Sequence, residues 1–210
     1  MAQFFSIHSD NPNLRLIRQA AAIVRDGGII VYPTDSCYAL GCHIGDKAAM
    51  TRIRTIRQVD EKHHFTLVCR DLAEISHYAK VDNRQYRLLK ASTPGSYTFI
   101  LQASREVPRR LQHPKRYTIG LRIPDHPVIN ALLSELDEPL LSSTLILPTD
   151  EFPLNDAEEI RKRLEHQVEL VMDAGSCGIE MTSVIDLTSD TPEVIRQGKG
   201  SLSPFGITHG

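Results

Sequence analysis

Short apolar runs recur between capped amphipathic segments along this chain, and that alternation limits its fold more than any other feature. Ile29-Ile30-Val31-Tyr32 is apolar throughout and is bounded by Gly27-Gly28 and by Pro33. A strand without polar alternation is buried on both faces, as in a sheet covered by helices. Phe65 to Cys69, Tyr97 to Gln102, Tyr117 to Ile123 and Leu140 to Leu145 read as further strands. Val168 to Met172, Ser183 to Leu187 and Val194 to Gln197 close the chain as short ones.

Helical spacing fills the intervals. Asn11-Pro12 is an N-cap with proline at the first helical position, and Leu14, Ile17, Ala21 and Val24 follow on one face until Gly27-Gly28. Asp46 caps a helix to about Gln58, and Asp71 and Asp82 cap two more. Val128, Ile129, Leu132, Leu133 and Leu136 mark another, and an acidic helix runs from about Asn155 to His166. Strands and helices mix with no Pro/Gly/Ser-rich linker. The expectation is one α/β domain over residues 1–210, a twisted mixed sheet flanked by helices, with the short terminal strands antiparallel.

Composition agrees with a globular chain: 210 residues, 41% hydrophobic and 24% charged, enough to bury a core without staples. No run of about 18 apolar residues suggests a membrane span, and Met1 to His8 lacks the basic start of a signal peptide. Cys37, Cys42, Cys69 and Cys177 form no C-x-x-C pair. Cys37, Cys42 and His43 lack a second ligand pair with metal-site spacing, so the expectation is buried thiols, no metal site and a cytoplasmic protein.

Net charge is −2, but it is unevenly spread. Residues 1–133 carry 19 Lys/Arg against 11 Asp/Glu, and residues 134–210 carry 5 against 15. Arg105, Arg109, Arg110, Lys115, Arg116 and Arg122 stand close together against Glu106. Such a cluster suits a polyanion, phosphate or nucleic-acid backbone, unless it is a solvated face paired with the acidic half.

The chain has no P-loop, no G-x-G-x-x-G and no G-x-S-x-G elbow. No covalent nucleophile is called for. Hydroxyl-rich segments instead stand at strand ends, where open α/β sheets bind ligands. They are Pro33-Thr34-Asp35-Ser36, Pro94-Gly95-Ser96-Tyr97-Thr98, Ser142-Ser143-Thr144 and Thr182-Ser183. Arg196-Gln197-Gly198-Lys199-Gly200 adds glycines around cations.

In this order the segments resemble the YrdC-like family of threonylcarbamoyl-AMP synthases, from about Pro12 to Gly200. Pro33 to Gly41 matches the Pro-Thr-acid-Thr-x-Tyr-Gly-Leu-Gly segment. Pro94 to Thr98 matches Pro-Gly-x-x-Thr, Arg122-Ile123-Pro124 matches Arg-x-Pro, and Arg196 to Gly198 matches a late Arg-x-Gly. The resemblance implies a YrdC-like fold and an ATP-dependent synthesis joining threonine and bicarbonate to AMP with release of pyrophosphate, for modification of tRNA beside the anticodon. ATP is then a substrate, with Mg²⁺ as its usual companion. It implies Arg57, Thr98, Thr144 and Arg196 around ATP, and Thr34, Ser36 and Ser183 around the amino acid. Val59 and Ile146 stand where the pattern has a cation and an amide, which implies weak or altered activity. The alternative is an RNA-binding protein, for tRNA or double-stranded RNA, that uses Arg109, Arg110, Lys115, Arg116 and Arg122 without synthesis. Few aromatics, 6% with no Trp, argue against a base-stacking platform.

Overall fold

A computed structural model of the chain describes residues 1–207, so the last three positions of the 1–210 reading lie outside the described residues. Among the described residues, eleven strands form one mixed sheet. They are β1 (Gln3–Ser6), β2 (Ile30–Tyr32), β3 (Ala39–His43), β4 (Thr66–Val68), β5 (Ala79–Lys80), β6 (Tyr97–Ala103), β7 (Thr118–Arg122), β8 (Leu140–Thr144), β9 (Leu170–Asp173), β10 (Ser183–Asp186) and β11 (Glu193–Arg196). The helices are α1 (Leu14–Arg25), α2 (Lys47–Arg57), α3 (Leu72–Tyr78), α4 (Asn83–Ser92), α5 (Pro127–Leu136) and α6 (Ala157–Leu164).

The strand order is β1-β9-β2-β3-β8-β4-β7-β6-β10-β11, with β5 on β6. The late strands are only partly antiparallel. β10 and β11 pair that way, whereas β9 runs parallel to β1 and β2, and β10 runs parallel to β6.

Side-chain alternation divides the sheet into two faces. Leu40, Leu67, Leu101, Leu121 and Leu141 point to one, where Ile53 and Ile56 of α2, Ile75 of α3, Leu89 of α4 and Ile160 of α6 close over them. Ile30, Tyr32, Val68, Leu140 and Leu170 point to the other, under Ile17 and Val24 of α1 and Val128 and Leu132 of α5. The second layer is short. On the same face, two residues along from Val68 and Leu140, Thr66 and Ser142 have no helix over them and line a cleft. Truncating a core leucine such as Leu67 should cost about 2–5 kcal/mol.

The helix caps follow the sequence closely. Asp46, Asp71, Asp82 and Asp156 each accept the backbone N–H three residues on. The cap of α1 differs: Asn13, not Asn11, accepts from Arg15 N–H at 2.9 Å. Asn11 is held outside the helix, its N–H on His8 Nδ1 at 3.2 Å. No helix among the described residues is long and apolar enough to cross a membrane.

Candidate functional site

The uncovered part of the sheet is the floor of a cleft of about 470 Å³. Thr98 and Ile100 of β6, Thr118 and Gly120 of β7, Thr66 of β4, Ser142 and Thr144 of β8 and Val184 of β10 line it. Gly120 keeps the floor open. A Cβ there would lie 3.3 Å from Thr98 Cγ2 and 3.5 Å from Thr66 Oγ1. Arg57 and Arg196 stand on the cleft walls, so the four residues Arg57, Thr98, Thr144 and Arg196 come together although they lie far apart in the chain.

Arg57 reaches the cleft because it is the last residue of α2, whose next residue, Gln58, turns left-handed at φ 50°. Its Nη1 donates to Ser143 Oγ at 2.5 Å and its Nε to Ile146 O at 3.3 Å. The same Nη1 is 3.0 Å from His63 Nε2. An arginine nitrogen only donates, so Nε2 accepts and the ring is neutral. Burial, then the positive field of Arg57, pushes the His63 pKa down to about 4. Burial also lowers the Arg57 guanidinium from its ordinary value.

On the opposite wall, Arg196 Nε and Nη2 both donate to Thr182 O, at 3.1 and 2.9 Å. Nη2 also donates to Thr182 Oγ1 at 3.2 Å, and that hydroxyl is 2.9 Å from Thr98 Oγ1. A continuous chain of donors therefore runs from β11 to the cleft floor. Ser142 is tied from below by Tyr32 OH at 2.5 Å, and burial pushes the Tyr32 phenol up to about 12.

Thr34, Ser36 and Ser183 behave differently. All three are buried and none lines the cleft. Thr34 Oγ1 donates to Cys37 O at 2.6 Å and accepts from the Ser36 and Cys37 N–H groups, both at 3.1 Å. Ser183 Oγ donates to Gly200 O at 2.6 Å and accepts Gly198 N–H at 2.9 Å. The Thr34 and Ser183 hydroxyls hold loop backbones in place, whereas Ser36 Oγ meets side chains, Thr34 Oγ1 at 3.0 Å and Arg122 Nη1 at 3.3 Å. Cys37 is buried beside Thr34 and Ser36. Burial raises its thiol, and Ser36, Arg122 and Arg196 partly offset that.

The structure corrects the basic cluster. Arg122 is 7% exposed. Its Nη2 pairs with Asp35 Oδ1 and its Nη1 with Ser36 Oγ at 3.3 Å. It belongs to the interior and cannot meet a surface polyanion. Ser96 Oγ donates to Asp35 Oδ2 at 3.1 Å, and Lys199 Nζ donates to Asp35 O. Arg116 is half-exposed and turns to the cleft, where its Nη2 pairs with Asp186 at 2.6 Å. Arg109, Arg110 and Lys115 lie elsewhere on the surface. They line a second hollow of about 700 Å³ with Arg54 and Lys62, against one carboxylate, Glu61. There Arg109 lies over the Tyr117 ring at 4.6 Å. His64 and His113 stack at 5.2 Å, on the wall that both hollows share.

Val59 and Ile146 do not line the cleft; Ile146 contributes only its carbonyl, to Arg57. Cys42 lies in the core, and burial pushes its thiol up to about 12, whereas His43 pairs with Glu138 at 2.8 Å. Adjacent strand residues face opposite ways, which separates these two. Among the described residues, no group of three His, Cys, Asp or Glu side chains could hold a metal ion. The cleft lining contains no carboxylate, so the residues present do not fit a protein-held Mg²⁺ site.

Sequence reading missed His63, Thr66, Thr118 and Gly120. The signal for His63 was its place just beyond the C-terminus of a helix that ends in arginine. For the others only strand pairing brings the small side chains into one row.

A family model described as "Telomere recombination", Sua5_yciO_yrdC, matches residues 22–198. The YciO protein of Escherichia coli strain K12 is 58% identical over 205 residues, covering 98% of this chain and all of that one. The E. coli YciO crystal structure superposes with a TM-score of 0.94, again over 98% of this chain and 100% of that one. A threonylcarbamoyl-AMP synthase of Vibrio vulnificus is 25% identical over 185 residues, covering 87% of this chain and 98% of that protein. Sua5 of P. abyssi, crystallised with L-threonine, shares the fold at 23% identity with a TM-score of 0.86, covering 94% of this chain and 58% of that one.

Proposed function

We propose that this chain, which belongs to the Sua5–YciO–YrdC family, is an ATP-dependent synthase of the threonylcarbamoyl-AMP type with weak or altered activity. The observation that carries the reading is the convergence of Arg57, Thr98, Thr144 and Arg196 on one cleft. Two guanidiniums on opposite walls suit the phosphates, and a floor of hydroxyls suits a small polar co-substrate. Mg²⁺ enters as part of the substrate, MgATP.

The chemistry needs no protein nucleophile. The carboxylate of an N-carboxy amino acid attacks the α-phosphate, the α–β anhydride bond breaks, and pyrophosphate leaves. The cleft holds the two reactants in line, neutralises phosphate charge and keeps water from the labile product. In this reading Thr34, Ser36 and Ser183 border the amino-acid end, Thr34 and Ser183 fixing loop backbones and Ser36 accepting from Arg122.

Pyrophosphate release from ATP tests this. It is expected only with both bicarbonate and threonine present, at a low rate. Release independent of the amino acid, or none with ATP bound, overturns the reading.

A second reading, RNA binding without synthesis, is favoured by the hollow lined by Arg54, Lys62, Arg109, Arg110 and Lys115. Lys62, Arg109, Arg110 and Lys115 are exposed, and the guanidinium of Arg109 stacked on Tyr117 is preoriented.

A further inference from the structure

We infer that binding of a polyphosphate at Arg57 is coupled to uptake of a proton by His63 on Nε2, which makes that imidazole a second cation of the cleft. The inference rests on the proposed reading only in placing phosphate at Arg57.

The geometry defines the free state. Nη1 of Arg57 carries two hydrogens, and two acceptors lie within reach, Ser143 Oγ at 2.5 Å and His63 Nε2 at 3.0 Å. His63 Nε2 is also 3.0 Å from Ser143 Oγ. The three groups form a closed triangle on the cleft wall. In it the imidazole lone pair is engaged by the guanidinium, and a proton on Nε2 would face a positive charge.

An incoming phosphate oxygen competes for the same Arg57 hydrogen. When that N–H turns to the phosphate, Nε2 keeps only the Ser143 hydroxyl as a donor within reach and is left beside a polyanion. A proton from solvent then binds Nε2, and the new N–H donates to Ser143 Oγ or to the phosphate. No other bond forms or breaks. The sequence pattern has a second cation near Arg57, where this chain has Val59, and Val59 does not line the cleft. His63 does line it, and supplies that charge only when an anion is present.

The charged and titratable groups around His63 are few. Arg54 and Arg57 come from α2, and both oppose its protonation; Asp60, in the loop after α2, favours it; His64 opposes it. His113 stacks on His64 at 5.2 Å, and both line the cleft. β8 contributes only the Ser143 hydroxyl. The sign follows. In the free protein His63 is neutral above about pH 4. The phosphate raises that value, so between the free and bound values binding takes up a proton. Affinity then rises as pH falls, by at most about tenfold per pH unit.

Calorimetry with ATP, and separately with inorganic tripolyphosphate, at one mildly acidic pH in two buffers of different ionisation heat measures the uptake. The unaltered protein is expected to take up a proton beyond what the ligand's own titration requires. His63→Gln keeps an acceptor for Arg57 but cannot titrate, and should lose that share. His63→Ala should lose it too, and His64→Gln and His113→Gln should keep it. Thermal melts establish that each variant is folded. Equal uptake by the unaltered protein and His63→Gln overturns the inference, as does loss of uptake in His64→Gln. Binding with His63-dependent uptake but without synthesis upholds it while the synthase reading falls. Absence of binding by either ligand overturns both.

Discussion

Arg57 Nη1 and Ser143 Oγ are 2.5 Å apart, so the end of α2 is tied to β8 across the cleft wall. The bond fixes a long side chain that would otherwise sample many rotamers. Ser143→Ala should leave the fold intact, with stability lower by about 1 kcal/mol. ATP affinity should fall several-fold because Arg57 is no longer preoriented. Urea unfolding with parallel ATP titration checks it, and unchanged affinity would mean that the tie to β8 does not orient Arg57.

Arg196 is held by Thr182 O and Thr182 Oγ1 on the opposite wall. Arg196→Ala removes one charge-assisted partner, so nucleotide affinity should drop by about tenfold or more. Titration calorimetry reads the change, and an unchanged affinity removes Arg196 from the site.

Gly120 offers a test that involves no charge. A Cβ there meets Thr98 Cγ2 at 3.3 Å, a tight contact, and the rest of a larger side chain must occupy the cleft floor. Gly120→Val is compatible with a strand. It should fold, lose ATP binding by at least about tenfold, and leave the melting temperature within a few degrees. Retained binding in a folded variant would move the ligand off this floor.

Much of the fold was legible because its signals are local. Asp46 and Gln58 bound α2 in the sequence as they do in the structure. β3 was missed because Ala39 to His43 contains Gly41 and directly follows a turn-like segment. β1, at the start of the chain, is fixed by its pairing to β9, which no local pattern reveals. Arg57, Thr98, Thr144 and Arg196, which line one cleft, were named through the family resemblance. Arg122 was misread because its partner Asp35 lies 87 positions away, so a buried ion pair looked like surface charge. His63 was missed because its chemistry depends on Arg57 and Ser143, which only the tertiary fold brings to its Nε2.

The Asp35–Arg122 pair gives a stability prediction. Side-chain exposures are 12% and 9%, and Arg122 Nε has no partner among the described residues. Asp35→Asn leaves a buried guanidinium without its counter-charge, which should cost about 3–5 kcal/mol. Asp35→Leu combined with Arg122→Met removes both charges and should cost less than Asp35→Asn alone. Urea denaturation of the three proteins measures it. A double variant less stable than the single one would show that the pair contributes more than its own compensation.

The basic hollow decides between the two readings of function. Arg54, Lys62, Arg109, Arg110 and Lys115 line it against Glu61, whereas Arg122 is buried on Asp35 and Arg116 faces the nucleotide cleft. If RNA lies there, affinity should fall steeply between about 50 and 200 mM salt, because each phosphate contact releases a counterion. Reversing Lys62, Arg109 and Lys115 to glutamate should flatten that slope and weaken binding to every RNA alike, since phosphate contacts carry no sequence information. The same variant should keep ATP binding, because these three residues do not line the nucleotide cleft. Filter binding of a duplex and of a tRNA across the salt range, with ATP titration in parallel, measures both. A slope unchanged by the triple variant removes the hollow as an RNA site. No binding at low salt removes the RNA reading altogether and leaves the hollow a solvated basic face.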